Sequence, residues 1–259
     1  MNRIDTLFLR KNHKTLVAYI TVGYPDIAAT REIVPLLAAS GCDMVELGIP
    51  FSDPLADGIT IQQASYRALQ NGVNVPLCLE TAAELREKVT IPLVFMGYFN
   101  PVYHYGVANF CRECRQMGVD GLIIPDLPPE EGDNMEISAK QEGLDLVYLL
   151  APSSTDERIR LVAERSQGFI YLVSVTGVTG ARASLPAELG TFVSRVRKIT
   201  DKPLCVGFGI STPEQAQNVA SIADGVIVGS QIIRLIEEGK GDYDNLQTFV
   251  CNLRTALDS

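Results

Sequence analysis

Short apolar runs alternate with amphipathic stretches from one end of the chain to the other. The runs are 16–21 (LVAYIT), 43–49 (DMVELGI), 92–98 (PLVFMGY), 119–125 (VDGLIIP), 144–150 (LDLVYLL), 168–174 (GFIYLVS), 203–209 (PLCVGFG) and 224–230 (DGVIVGS). Gly, Pro and Asp punctuate them, and most are rich in Val, Ile and Leu, as parallel strands buried on both faces should be. Segments between them, such as IAATREIVPLLAASG and TDERIRLVAERSQG, carry helical periodicity, and the tail beyond Ile232 reads as a closing helix pair. Eight strands separated by helices predict an α/β fold, a single (β/α)8 TIM barrel over residues 1–259. Periodicity does not establish closure, so an open doubly wound sheet is the alternative.

The length of 259 residues fits one barrel without remainder, since such barrels take about 250. Hydrophobic residues at 46% and charged residues at 20% match a globular protein with a substantial core. A net charge of −9 with no basic block argues against nucleic-acid binding. The start, MNRIDTLFLRKNHKTLVAYI, has no continuous apolar core of a signal peptide, and no run approaches the length of a spanning helix. A cytoplasmic location and no membrane partner are expected. Cys111 and Cys114 form a CxxC within NFCRECRQMG, at helical spacing and without further ligands in sequence reach. They read as buried thiols, and no metal is expected.

Candidate chemistry starts with Glu46. Strand side chains alternate, so if Val45 and Leu47 meet the helices, Glu46 points into the barrel. An unpaired carboxyl there resists ionisation, which suits an acid–base group; the structural alternative is a buried salt bridge or a hydrogen-bonded core Glu. The loop FSDPLADG then carries Asp53 and Asp57. Either is equally a turn former, and spacing does not say which of them joins Glu46. Three glycine-rich turns follow the sixth, seventh and eighth strands: TGVTGA (176–181), GFGIS (207–211) and VGS (228–230). Backbone amides at such turns, with a helix starting at Ser230, form a phosphate site where barrels often place one. No lysine lies inside a strand, which disfavours a Schiff base, and two histidines, His13 and His104, cannot supply a three-histidine zinc site. No dinucleotide fingerprint follows the first strand. Cofactor-free acid–base chemistry remains.

VELGIPFSDPLADG (45–58), M-x-Y-x-N-P (96–101), PDLP (125–128), YLVSVTGVTGAR (171–182), GFGIS and VGS, in this order, resemble the alpha subunit of tryptophan synthase across essentially the whole chain. The resemblance implies retro-aldol cleavage of indole-3-glycerol phosphate to indole and glyceraldehyde 3-phosphate. By motif, the family's catalytic acids fall on Glu46 and Asp57. Tyr171, Tyr19, Met96 and Phe208 fall at the substrate, and Gly180, Gly209, Gly229 and Ser230 at its phosphate. Thr179 falls on a loop able to close over Asp57. An exposed loop around Pro50 and Asp53 would meet a beta subunit in an alpha2-beta2 heterotetramer, and pyridoxal phosphate would belong to that partner, with no cofactor in this chain. Two other readings share the fold: a stand-alone lyase that releases indole, and an inactive barrel kept as a regulatory subunit.

Overall fold

The computed structural model describes residues 2–173, 187–207 and 209–259. Thr179, Gly180 and Phe208 therefore lie outside the described residues. Among those described, the strands are β1 (Thr15–Thr21), β2 (Met44–Gly48), β3 (Leu93–Met96), β4 (Gly121–Ile123), β5 (Asp145–Val147), β6 (Leu149–Leu150), β7 (Ile170–Val173), β8 (Leu204–Gly207) and β9 (Gly225–Val228). All pair in parallel, in the order β5-β4-β3-β2-β1-β9-β8-β7-β6.

The eight expected runs thus become nine strands, because the fifth is split at Tyr148. β5 pairs with β4, and β6 pairs with β7. At the break the Tyr148 amide donates to Ser166 Oγ at 3.0 Å, while its carbonyl accepts from the Tyr171 amide at 3.1 Å. The chain changes pairing partner there, and the ends of the sheet meet. The result is a (β/α)8 barrel rather than an open sheet.

The helices are α1 (Arg3–Phe8), α2 (Ile27–Ala39), α3 (Ile59–Gln70), α4 (Val75–Lys88), α5 (Phe99–Tyr105), α6 (Val107–Gln116), α7 (Asp133–Glu142), α8 (Asp156–Arg165), α9 (Ala187–Arg197), α10 (Pro213–Ala220), α11 (Ser230–Gly239) and α12 (Asp244–Leu257). Side-chain caps start several of them: Asp26 accepts from the Ala29 amide, Asn74 from Leu77 and Thr155 from Arg158. α11 and α12 are the closing pair read from the tail. Cys111 and Cys114 are buried on α6. No helix among the described residues is long and apolar enough to cross a membrane.

Strand alternation divides the apolar residues into two layers. Ala18, Val45, Leu47, Leu122, Leu172 and Val226 pack under the helices. Val17, Met44, Val94, Ile123, Val147, Phe169, Cys205 and Ile227 fill the cylinder, with Ile4 and Leu7 of α1 plugging its floor. Around that floor two buried carboxylates tie strand starts together. Asp43 accepts from Arg10 (3.3 Å), His13 (2.8 Å), Arg254 (2.9 Å) and the Leu16 amide (2.9 Å). Asp120 accepts from Arg3 (2.8 Å), Arg86 (3.1 Å) and the Leu93 amide (3.0 Å).

Asp120 is fully buried, so its loss leaves the Leu93 amide without its acceptor and removes the counter-charge of Arg86, whose other bonds go to the Val89, Ile91 and Gly118 carbonyls. Asp120→Ala should lower unfolding free energy by about 3 kcal/mol. Urea denaturation measures this, and a loss under about 1 kcal/mol would show that the cluster is idle.

Candidate active site

Glu46 sits mid-strand on β2, in register with Tyr19 of β1 and Val94 of β3. Its neighbours Val45 and Leu47 pack outward against the helix layer, and Met44 packs inward. Alternation therefore turns Glu46 into the barrel, where it is 0% exposed. Neither carboxyl oxygen has a hydrogen-bond partner among the described residues. Burial alone pushes its pKa up to about 8 from an ordinary 4.5, because nothing nearby repays the lost hydration of the charged form.

Asp57 follows β2 on the loop into α3. Its amide donates to the Pro54 carbonyl (3.0 Å), and its carbonyl accepts from Gln62 (2.9 Å). Its carboxylate accepts from the Tyr98 hydroxyl at 3.1 Å, and that hydroxyl accepts from the Ala56 amide at 2.9 Å. Tyr98 is further steadied by stacking on Phe51, with ring centroids 5.3 Å apart. Burial raises the Asp57 pKa to about 6, while the Tyr98 hydrogen bond opposes the rise. Asp53 stands apart. It is exposed, and its carboxylate is held by the adjacent Ser52 hydroxyl.

A cavity of about 600 Å³ opens at the carboxyl ends of the strands, lined among others by Tyr19, Asp57, Met96, Tyr171, Gly209, Gly229 and Ser230. Seven of the residues singled out from the sequence thus border one space, where such folds place their sites. Glu46 is not part of the lining. On its own strand the next inward position is Gly48, and a Cβ there would lie 2.2 Å from the Tyr19 hydroxyl. Tyr19 therefore leans over β2 just above Glu46. Tyr171 leans over Gly207 in the same way, with 2.6 Å to a notional Cβ. Burial raises both phenol pKa values, with the charges of Asp57 and Glu46 adding to it. Tyr19, Glu46 and Tyr171, from β1, β2 and β7, are thus buried close together, with the Asp57 charge near enough to act on both phenols.

Gly209 and Gly229 border the same cavity. Gly229 caps α11 without any side-chain hydrogen bond to the helix start, so the first amides of a ten-residue helix have no side-chain acceptor among the described residues. Gly209 adopts φ +58° with no heavy atom within 4 Å of a notional Cβ, which leaves its backbone open to close approach.

Tyr98 escaped sequence reasoning, although it lies inside the M-x-Y-x-N-P stretch; an aromatic in that motif was the available signal. Arg158, at the cavity rim and paired with Glu130 at 2.5 Å, gave no signal at all. The expectation of an exposed Pro50 is corrected: Pro50 is buried. The Phe51 amide and carbonyl both bond the buried Ser65 hydroxyl, at 2.9 and 3.0 Å, which pins the loop's start to α3. Only its tip is free, with Leu55 92% and Ile59 at the start of α3 73% exposed.

A family model described as tryptophan synthase alpha chain matches residues 7–258. A tryptophan synthase alpha chain from Dehalococcoides mccartyi is 59% identical over 100% of both chains. Among solved structures, tryptophan synthase subunit alpha from Legionella pneumophila superposes with a TM-score of 0.92 at 36% identity, covering 100% of this chain and 99% of that one. Mycobacterium tuberculosis tryptophan synthase gives 0.92 at 37% identity, with the same coverage.

Glu46 makes the native chain hold a proton that the unfolded chain has lost between its ordinary pKa of 4.5 and about 8. Stability should therefore be complete below the lower value and fall as pH rises through this window, by about 1.4 kcal/mol per unit. Glu46→Gln removes that dependence. Urea denaturation of both proteins across the window should show wild type losing ground to the variant, and parallel curves would assign Glu46 an ordinary carboxyl.

Proposed function

The chain belongs to the tryptophan synthase alpha chain family, and from this premise we propose that its barrel mouth cleaves indole-3-glycerol phosphate to indole and glyceraldehyde 3-phosphate, with residues 1–259 acting as one catalytic domain. The observation that carries the reading is the buried, unpartnered carboxyl of Glu46 beside a cavity lined by Asp57.

Two carboxyls in unlike surroundings divide the work. With a pKa of about 8, Glu46 is protonated at neutral pH, whereas Asp57, at about 6, is mostly ionised. Glu46 gives its proton to indole C3, and the ring nitrogen becomes positive. Asp57 accepts the N1–H hydrogen bond and stabilises that charge. Glu46, now a carboxylate, takes the proton of the C3′ hydroxyl. The C3′ oxygen becomes the aldehyde carbonyl, the C3–C3′ bond breaks, and its electron pair returns to the ring as neutral indole. No hydrogen bond from a described residue holds the Glu46 carboxyl back from the ligand. Gly209, Gly229 and Ser230, with Gly180, grip the phosphate away from the reacting bond, where binding energy serves positioning. Tyr19, Met96 and Tyr171 enclose the indole, and the family motifs add Phe208 and Thr179 to the substrate-binding set.

The family name implies a beta chain. In this reading the assembly is an alpha2-beta2 heterotetramer in the cytoplasm, and the beta subunit holds the pyridoxal phosphate. The loop tip at Asp53 and Leu55 supports a contact there, and six free thiols suit a reducing compartment.

Glu46→Gln should lower kcat for indole release by about 10²–10⁴ while leaving KM nearly unchanged, and Asp57→Asn should cost less. Near-normal turnover in the first variant would remove Glu46 from the mechanism. Adding the beta subunit should stimulate wild type, and full activity without it would favour a stand-alone lyase. Tyr98→Phe removes the bond that holds the Asp57 pKa down. The acidic limb of its kcat/KM profile should shift to higher pH, and an unmoved limb would detach Asp57 from that limb.

A further inference from the structure

At the floor, opposite the catalytic mouth, α1, the turn before β3 and the end of α6 surround a second hollow of about 450 Å³, lined by Arg3, Arg10, Arg115, Asp43 and Asp120 among others. The two carboxylates are already engaged. Asp43 accepts four hydrogen bonds and Asp120 three, and a carboxylate offers about four lone-pair sites. Some of those sites are taken by Arg86 and Arg254, from outside the hollow. Five arginines thus stand around two acids. Arg115 is exposed and its side chain makes no hydrogen bond or ion pair among the described residues, while the side chains of Arg3 and Arg10 each make a single one. Each guanidinium has five N–H donors, so the hollow holds many unused donors and almost no unused acceptor. Two further acids lie near and do not line the hollow: Asp5 of α1, whose carboxylate accepts from the Asn2 amide, and buried Asp145, which faces Asp5, Asp120 and Lys202. In a chain of net charge −9, this local positive excess stands out.

We propose that this hollow is a binding site for a small, multiply charged oxyanion, a phosphorylated or polycarboxylate metabolite, taken up by Arg3, Arg10 and Arg115. Forked N–H pairs suit either oxyanion, and the volume is that of a small-molecule site. Such a ligand bridges α1 to α6. Since Ile4 and Leu7 of α1 plug the barrel, occupancy locks the plug in place. The site is separate from the catalytic mouth and independent of the reaction assigned to it.

The test uses the full chain with pyrophosphate, with citrate, and with sodium chloride at matched ionic strength. Three proteins are compared: wild type, Arg10→Ala/Arg115→Ala, and Ser230→Asp. The last puts a negative charge at the mouth's anion site while suiting a helix start. Thermal melting should rise by about 5 °C at about 100 times Kd in wild type and Ser230→Asp, and not in the double arginine variant. Hydrogen exchange at α1 amides should slow in the same two proteins only. A response to pyrophosphate alone identifies the ligand as phosphate-bearing, and a response to citrate alone identifies it as a polycarboxylate. Shifts that persist in the double variant, or vanish in Ser230→Asp, would place the anion at the mouth and overturn the proposal. So would shifts no larger than sodium chloride produces.

Discussion

A carboxyl group held inside a cylinder from which water is excluded is the constraint on which the rest depends. Ionising Glu46 in place, with its pKa near 8 rather than 4.5, costs roughly 5 kcal/mol, a large share of the stability of an ordinary domain. The chain contains its own controls. Asp43 and Asp120 are also buried, yet each is surrounded by arginines and backbone donors, and neither faces a cavity at the catalytic mouth. Those two acids are saturated with donors, whereas Glu46 has none among the described residues.

That vacancy is maintained by the barrel itself. Closure through the Tyr148 break leaves no edge by which solvent enters the interior, and the plug formed by Ile4 and Leu7 seals the lower end. Above Glu46, Gly48 and Gly207 let two tyrosines lean over their strands, so aromatic rings cover the acid. Asp57 lies farther out, partly solvated and hydrogen-bonded by Tyr98, and its pKa rises less. One strand and its following loop thus place two chemically identical groups in environments that give them different protonation states at the same pH.

What was legible in the sequence follows from how local each feature is. Strand periodicity and the inward direction of Glu46 depend on neighbouring residues only, so both could be read directly. The choice between Asp53 and Asp57 could not, because it turns on a hydroxyl 41 residues away. The split at Tyr148 arises where one strand must pair with two different neighbours, a tertiary demand that leaves LDLVYLL looking continuous. Pro50 looked like part of an exposed loop because its burial comes from the Ser65 bond to the next residue. The floor cluster was invisible for a similar reason: Arg3, Arg86 and Asp120 lie far apart in sequence and meet only when the cylinder closes.

The two ends of the barrel show how one architecture separates stability from chemistry. At the amino-terminal end, Asp43 and Asp120 spend their lone pairs on arginines from α1, α4 and α12, and so join strand starts to helices that would otherwise splay. At the carboxyl end, Gly209 and Gly229 give up side-chain packing and leave backbone amides exposed to the cavity. That loss of contacts is tolerable because the register of every strand is already fixed from below. A site whose groups must stay unsatisfied until a ligand arrives can only be built on a frame whose order does not depend on them, which is why the arginine-rich floor and the open mouth belong to the same design.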